Sequence, residues 1–214
     1  MIRHLLLFVV FLLPFQNTVA QQYMDTHDPG EIKSLLNREN VLNGFGGVDS
    51  KVGNLLNSRT LFLGAYGGLL INRHFMLGIA AYGWATPPEF EGFLPDGTPK
   101  PLTLYGGYAG IMLGGIVLSR ELVHLSFPVV LGAGQADVSD TNFFTNYPDT
   151  DFTIESSTFF VGEPTAQLEF NITPSFRIAA GASYRIIRGL QLQNVSDKDL
   201  TNWAGVISLR FGRF

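Results

Sequence analysis

Two adjacent segments in the second half of the chain alternate between apolar and polar residues. Of all the features of the sequence, this pattern constrains the fold most. Even-numbered positions from Phe160 to Ile172 and from Phe176 to Ile186 are apolar or small. Odd-numbered positions from Glu163 to Asn171 and from Arg177 to Arg185 are polar or small. A period of two residues is that of a β-strand. The pattern predicts an antiparallel hairpin over 158–187 with one apolar and one polar face.

The length and charge of this hairpin favour a membrane-spanning sheet. Strands of soluble proteins have about 5 to 6 residues, whereas a tilted transmembrane strand needs about 9 to 11. With a three-residue turn, Glu169 would lie opposite Arg177, and Arg185 would lie diagonal to Glu163. We therefore predict these four residues as ion pairs in the interior of a β-barrel with lipid outside. The alternative is a soluble hairpin with a solvated polar face.

Composition agrees with a membrane-embedded barrel. Of the 214 residues, 46% are hydrophobic and 15% are charged, below the charged fraction of about 25% in typical soluble domains. The net charge of -4 provides no basic surface, so we predict no nucleic-acid partner. The chain contains no cysteine, which excludes disulfides and a lipid-modified cysteine.

The N-terminal region reads as a targeting sequence. A positive residue, an apolar run and small residues before a cleavage site predict a signal peptide over 1–20, removed near Ala20. Its apolar run is too short for a spanning helix. A periplasmic segment follows over 21–40, in which Asp28 is the predicted N-cap of a short helix. Residues 41–214 form the predicted barrel domain.

Eight predicted strands with alternating connections follow. The predicted strands are 41–48, 60–71, 75–84, 102–118, 122–136, 158–172, 176–187 and 201–211. The first, third, fifth and seventh are followed by long connections, and the others by short turns. The connection 86–101 is predicted as a loop because its prolines lack ladder donors. Since outer-membrane barrels have short periplasmic turns and long extracellular loops, both termini are predicted to be periplasmic.

Several stretches together resemble a known group of proteins. These are GAYGGLLIN at 64–72, YGGY at 105–108, VHLSFP at 123–128 and GASYR at 181–185. They resemble small outer-membrane β-barrel proteins of the Bacteroidetes type, from Gram-negative bacteria. The resemblance implies fold and location and transfers no functional residue. The alternating last strand and the final Phe214 also resemble the terminal signal for barrel assembly, which implies the barrel-assembly machinery as a partner during biogenesis.

One motif raises the possibility of catalysis. His124-x-Ser126 resembles the His-x-Ser pair of the lipid A deacylase barrels, and both residues share one face of a strand, as a base and a nucleophile should. However, His124 begins a strand at the predicted periplasmic end, away from outer-leaflet lipid. The motif is therefore interpreted as structural, and we predict that the protein is not an enzyme. A lipid-modifying enzyme and a soluble periplasmic ligand-binding barrel are the alternatives.

The acidic segment 137–155 is the main candidate contact region. Its aromatic residues are predicted to pack on the barrel rim or to contact a partner, and they are Phe143, Phe144, Tyr147 and Phe152. Its carboxylates do not follow the spacing of a known calcium loop, and no metal-ligand or cofactor motif occurs, so we predict no metal and no cofactor. The sequence predicts a structural or surface-interaction role, with outer-membrane lipid, lipopolysaccharide and a surface protein as partners.

Overall fold

In a computed structural model of the protein, the described residues are 41–94, 97–140 and 153–214, and they form nine β-strands and one short helix. The strands are β1 (Leu42–Leu55), β2 (Ser58–Ile71), β3 (Phe75–Trp84), β4 (Glu89–Phe93), β5 (Pro99–Val117), β6 (Val123–Asp140), β7 (Thr153–Thr173), β8 (Phe176–Arg188) and β9 (Asn202–Gly212). The helix is α1 (Asp197–Leu200). The all-β prediction is confirmed.

Eight of these strands close into an antiparallel ring. The order is β3-β2-β1-β9-β8-β7-β6-β5, and β3 also pairs with β5, which completes the circle. The pairs Tyr82↔Tyr108 and Ala81↔Ala109 lie in this closing ladder. Closure gives each of these eight strands a neighbour on both sides, so the ring itself has no free edge. The predicted ring of eight antiparallel strands is confirmed. The remaining strand, β4, pairs with the start of β5.

Side chains alternate between the interior and the exterior of the ring. In β7, Glu163, Gln167 and Glu169 are buried, whereas Leu168 and Phe170 between and after them are exposed. This orientation follows the predicted faces and is opposite to that of the soluble ligand-binding alternative, which required apolar side chains inside. Buried charged side chains such as Glu169 and Arg210 lie towards the turns at 72–74, 118–122 and 174–175, which we call the short-turn end, and Leu70 and Met76 are buried there as well.

Towards the opposite end, the long-connection end, the interior is mostly apolar and includes the buried Arg185. Its fully buried side chains include Leu55, Phe62, Leu102 and Leu104. Leu200 of α1 joins the same cluster. The helix is held by a capping box between Ser196 and Asp199, which satisfies backbone donors at its start. The connection between β8 and β9 thus contributes to the core at this end of the ring.

The first strand is longer than predicted. The polar run from position 49 was expected to be a long connection, but β1 continues to Leu55 and a two-residue turn, Leu56-Asn57, leads directly into β2. Asp49 and Lys51 are buried in the interior, so their polarity does not end the strand. The prediction of a long connection after the first strand is wrong because interior polar positions were interpreted as loop.

The proline-rich connection also contains strand pairing. It was expected to be a loop, yet β4 pairs with β5 through Glu91↔Pro101 and Phe93↔Pro99. The N–H of Leu104 donates to the carbonyl of Pro88 at 3.0 Å, so even-numbered residues of β5 donate towards β4. Because neighbouring residues of a strand donate to opposite sides, the missing donors of the two prolines fall on the other side. Within the described residues, pairing with β6 starts at Leu102, so neither proline interrupts a described ladder.

The register of the central hairpin differs from the prediction by two residues. Thr173 pairs with Phe176 across a two-residue turn, Glu169 lies opposite Ala179, and Asn171 lies opposite Arg177. The shorter turn and an irregularity between Asn171 and Thr173 set this register. Arg177 is therefore a diagonal neighbour of Glu169 and not its direct partner.

Several predictions concern residues outside the described ranges. These include the signal peptide at 1–20, the segment 21–40 with its helix capped by Asp28, and the contact residues Phe143, Phe144, Tyr147 and Phe152. Within the described ranges, no helix is long and apolar enough to cross a membrane.

Candidate functional site

A buried ion pair crosses the interior of the ring between β1 and β7. Lys51 Nζ lies 2.8 Å from Glu163 Oε2 and 3.5 Å from the centroid of the Tyr82 ring. Ser183 Oγ donates to Glu163 Oε1 at 2.8 Å, and the Tyr108 hydroxyl donates to Oε2. A buried pair is tolerated when further hydrogen bonds satisfy both charges. Both carboxylate oxygens of Glu163 meet this condition.

A second cluster surrounds Asp49 on β1. The Tyr82 hydroxyl donates to Asp49 Oδ2 at 2.7 Å, and Ser208 Oγ donates to Oδ1 at 2.5 Å. Gln167 Nε2 in turn donates to Ser208 Oγ at 2.6 Å. The Tyr82 ring lies over Gly64, where an added Cβ would be 2.1 Å from the ring. The missing side chain of Gly64 thus lets the tyrosine reach the interior carboxylate.

Replacing Tyr82 by Phe is expected to lower the free energy of unfolding by about 1–3 kcal/mol, because the buried Asp49 loses a hydrogen-bond donor. The measurement is urea unfolding in detergent micelles, followed by tryptophan fluorescence. Tyr105→Phe is the matched control, since Tyr105 is only half-buried and should change stability little. An equal decrease in the free energy of unfolding for the two variants would contradict a stabilising role of the Tyr82 hydroxyl.

A third cluster lies near the short-turn end and centres on Glu169. Arg210 Nη1 donates to Glu169 Oε1, His124 Nε2 lies 2.9 Å from Oε2, and Arg177 Nη1 lies 3.5 Å from Oε2. Arg210 Nε also donates to the Tyr66 hydroxyl at 3.1 Å. One buried carboxylate is therefore shared by two guanidinium groups and one imidazole.

The fourth predicted interior residue, Arg185, has different contacts from those expected. Its Nε donates to the carbonyl of Leu200 at 3.0 Å, and its guanidinium lies 4.2 Å from the centroid of the Phe62 ring. Glu163 instead has Lys51 as its cationic partner, because that side chain reaches across the interior from β1. The expected diagonal pair of Arg185 with Glu163 is replaced by a pair between distant strands.

Sequence reasoning missed the residues that join the clusters across the ring. Asp49 and Lys51 were assigned to a connection, although they share odd-numbered parity with the buried Phe45 and Leu55. Arg210 stands on the even-numbered, buried face of β9, so its parity would have identified it. The partners of these residues depend on ring closure, which no local pattern reveals.

The His124-x-Ser126 motif lies in the interior, near the start of β6. His124 has an acidic partner in Glu169, but both residues are buried, and Ser126 Oγ donates to Gln167 Oε1 at 3.4 Å. The enzyme hypothesis required His124 in the half of the ring near the long connections. The structure places it next to the short connection 118–122, and the pair contributes to interior packing and charge balance.

The acidic residues of the predicted loop 137–155 that the structure describes are Asp137, Asp140 and Glu155, and all three are engaged with neighbouring side chains or backbone. Asp137 accepts from Ser156 Oγ at 2.6 Å, Asp140 pairs with Lys100, and Glu155 accepts from the Gln193 N–H at 2.9 Å. Among residues 41–94, 97–140 and 153–214, no group of three acidic or histidine side chains could hold a metal ion.

A cavity of about 560 Å³ opens at the short-turn end. Arg73 comes from the turn between β2 and β3, Arg120 from the turn between β5 and β6, and Arg177 from the start of β8. The Phe214 ring lies 3.8 Å from the Arg177 guanidinium and forms part of the wall. The cavity is thus lined by cations from two turns and from the start of a strand.

Comparison with known proteins identifies the fold. No protein-family model matches the chain, and no curated protein matches it. The crystal structure of Neisserial surface protein A (NspA) does match, with 13% identity, 81% of this chain and 99% of that chain covered, and a TM-score of 0.52. The fold resembles that of NspA. The attachment invasion locus protein Ail of Yersinia pestis is 17% identical, with 81% of this chain and 97% of that chain covered, at a TM-score of 0.45. At 13% identity the likeness to NspA concerns the fold alone.

Proposed function

We propose that the protein is an integral outer-membrane β-barrel of a Gram-negative bacterium, with a structural or surface-interaction role. The observation that carries this proposal is the apolar exterior of the ring. Large apolar side chains lie fully or partly exposed on the outer face of every strand of the ring, among them Val52, Leu63, Ile79, Ile111, Leu131, Phe160, Ile178, Ile207 and Phe211. An exposed apolar surface of this extent marks contact with a membrane or partner.

The dimensions of the strands also support a membrane location. The shortest strand of the ring, β3, has 10 residues, and a tilted transmembrane strand needs about 9 to 11. A closed ring satisfies its backbone hydrogen bonds without water, as a lipid environment requires. An eight-stranded barrel is just wide enough to be filled by side chains. The buried polar clusters fill this space, so the proposal is a scaffold and not a diffusion channel.

The surface-interaction role rests on the connections at the long-connection end. We assign this end to the cell surface, where lipopolysaccharide and a surface protein are the proposed partners. The aromatic residues Phe143, Phe144, Tyr147 and Phe152 are the proposed contacts in the connection between β6 and β7. The Bacteroidetes type, the assembly machinery and the cleavage near Ala20 stay predictions.

Single cysteine variants test the location and the orientation, because the chain has no native cysteine. Lys198→Cys lies at the long-connection end and Ser175→Cys at the short-turn end, and both positions are exposed. A membrane-impermeant maleimide is expected to label Lys198→Cys on intact cells. It should label Ser175→Cys only after the outer membrane is opened. Protection of both positions in intact cells would contradict a surface role, and the reverse pattern would invert the orientation.

A further inference from the structure

The cavity at the short-turn end has a surplus of positive charge. Its lining includes Arg73, Arg120 and Arg177, and none of its described lining side chains is acidic. Glu121 follows Arg120 in the sequence, but it does not line the cavity and forms no ion pair within the described residues. Guanidinium groups that converge on one concave surface favour an anionic ligand.

The charge of Arg177 is only partly balanced by the protein. Its acidic neighbour, Glu169, lies 3.5 Å away and is shared with Arg210 and His124. The Arg177 side chain is only 3% exposed. Its Nε is buried and makes no hydrogen bond within the described residues. Because Arg177 lines the cavity, an anion there would add counter-charge to a guanidinium group that the described residues balance only in part.

The other two arginines are exposed and make no hydrogen bond or ion pair within the described residues. Arg73 has φ 62° and follows Asn72 with φ 52°, and the His74 N–H donates to the Ile71 carbonyl at 3.1 Å. This is a type I′ turn, in which glycine is strongly preferred at the position of Arg73. The turn therefore does not need an arginine, and its side chain is available for a ligand.

The size and remaining lining of the cavity indicate what the anion is attached to. A volume of about 560 Å³ lies within the range of small-molecule sites, about 300 to 1,000 Å³. Asn171 and Thr173 add polar groups, and Ile172 and Phe214 add apolar surface. Because more than one positive charge is unbalanced, a phosphate monoester fits better than a singly charged carboxylate. We infer that this cavity binds a phosphate group carried by a larger molecule, through Arg73, Arg120 and Arg177.

The test uses the purified full chain folded in neutral detergent micelles. One series is titrated with inorganic phosphate and glycerol 3-phosphate, and another with a short-chain phosphatidic acid in mixed micelles. Binding is followed by calorimetry and by phosphorus NMR. This experiment does not depend on which end of the ring faces the cell surface, so the inference can fail while the proposed function holds.

The variants separate ligand contact from folding. The double variant Arg73→Gln with Arg120→Gln is expected to bind at least about tenfold more weakly, since two charge-assisted contacts are lost. Arg59→Gln is the control because it removes an exposed arginine at the long-connection end. Arg73→Gly should also bind more weakly while resisting urea better than the native chain, since glycine favours positive φ. Weaker binding by this variant cannot result from unfolding.

The outcomes distinguish the source of the phosphate and can overturn the inference. Binding of the soluble phosphates, weakened in the double variant and unchanged in Arg59→Gln, supports a soluble phosphate ester as ligand. Binding of phosphatidic acid alone, with the same dependence on the variants, supports a lipid headgroup. The absence of binding in both series, or equal affinities for the double variant and the control, would refute a phosphate site.

Discussion

Glu169→Gln is expected to lower the free energy of unfolding by about 3–5 kcal/mol, because it leaves buried cations without their counter-charge. The carboxylate accepts from Arg210 and lies 2.9 Å from His124 Nε2 and 3.5 Å from Arg177 Nη1. All three partners are buried in the interior. In a low-dielectric interior an unpaired charge is costly, and the amide of glutamine keeps the shape of the side chain but removes its charge.

Urea unfolding in detergent micelles provides the measurement, and two further variants identify the cause. Glu89→Gln removes an exposed carboxylate on β4 and should change stability by less than about 0.5 kcal/mol. Glu169→Gln combined with Arg210→Met should recover part of the loss, since replacing both partners of a buried pair is far less costly than removing one. If Glu169→Gln is no more destabilising than Glu89→Gln, the Glu169 carboxylate does not balance the buried charges of Arg210 and Arg177.

The period-two pattern predicted the strands of the ring correctly where one face of the strand is strictly apolar. The range predicted for β3, 75–84, is the observed one, and the central hairpin was found with its polar face inside. The reason is physical, since exterior positions such as Ile79 and Phe160 must all be apolar when the outer face excludes polar groups. Alternation sustained over such a length is typical of a β-strand and does not fit the 3.6-residue period of a helix.

Local patterns failed where the interior itself is polar or the pairing lies beyond the ring. Asp49 and Lys51 looked like loop residues because their partners, Tyr82 and Glu163, belong to strands that are distant in sequence. The short strand β4 was missed because Pro99 and Pro101 suggested a loop, although the positions of their missing donors face away from β4. Such features depend on closure and register, which a single strand's sequence does not determine.

Ile79→Arg is expected to destabilise the protein in phospholipid vesicles by about 2–4 kcal/mol, because an arginine at the bilayer midplane of a barrel loses its hydration. Ile79 lies in the middle of β3 and is 71% exposed on the exterior. In the proposed location this exposure is to lipid. The fraction of protein that folds into vesicles at increasing urea concentrations measures the loss.

Leu122→Arg is the matched control, because Leu122 is 70% exposed but precedes β6 at the short-turn end. An arginine near the membrane interface costs only about 0–1 kcal/mol, so this variant should fold into vesicles almost as the native chain does. Depth in the membrane is the main difference between the two positions, since the replacement and the exposure match and both native residues are large and aliphatic. A ring surrounded by water would tolerate both substitutions equally, so equal tolerance would contradict the lipid-facing exterior from which the proposed function is argued.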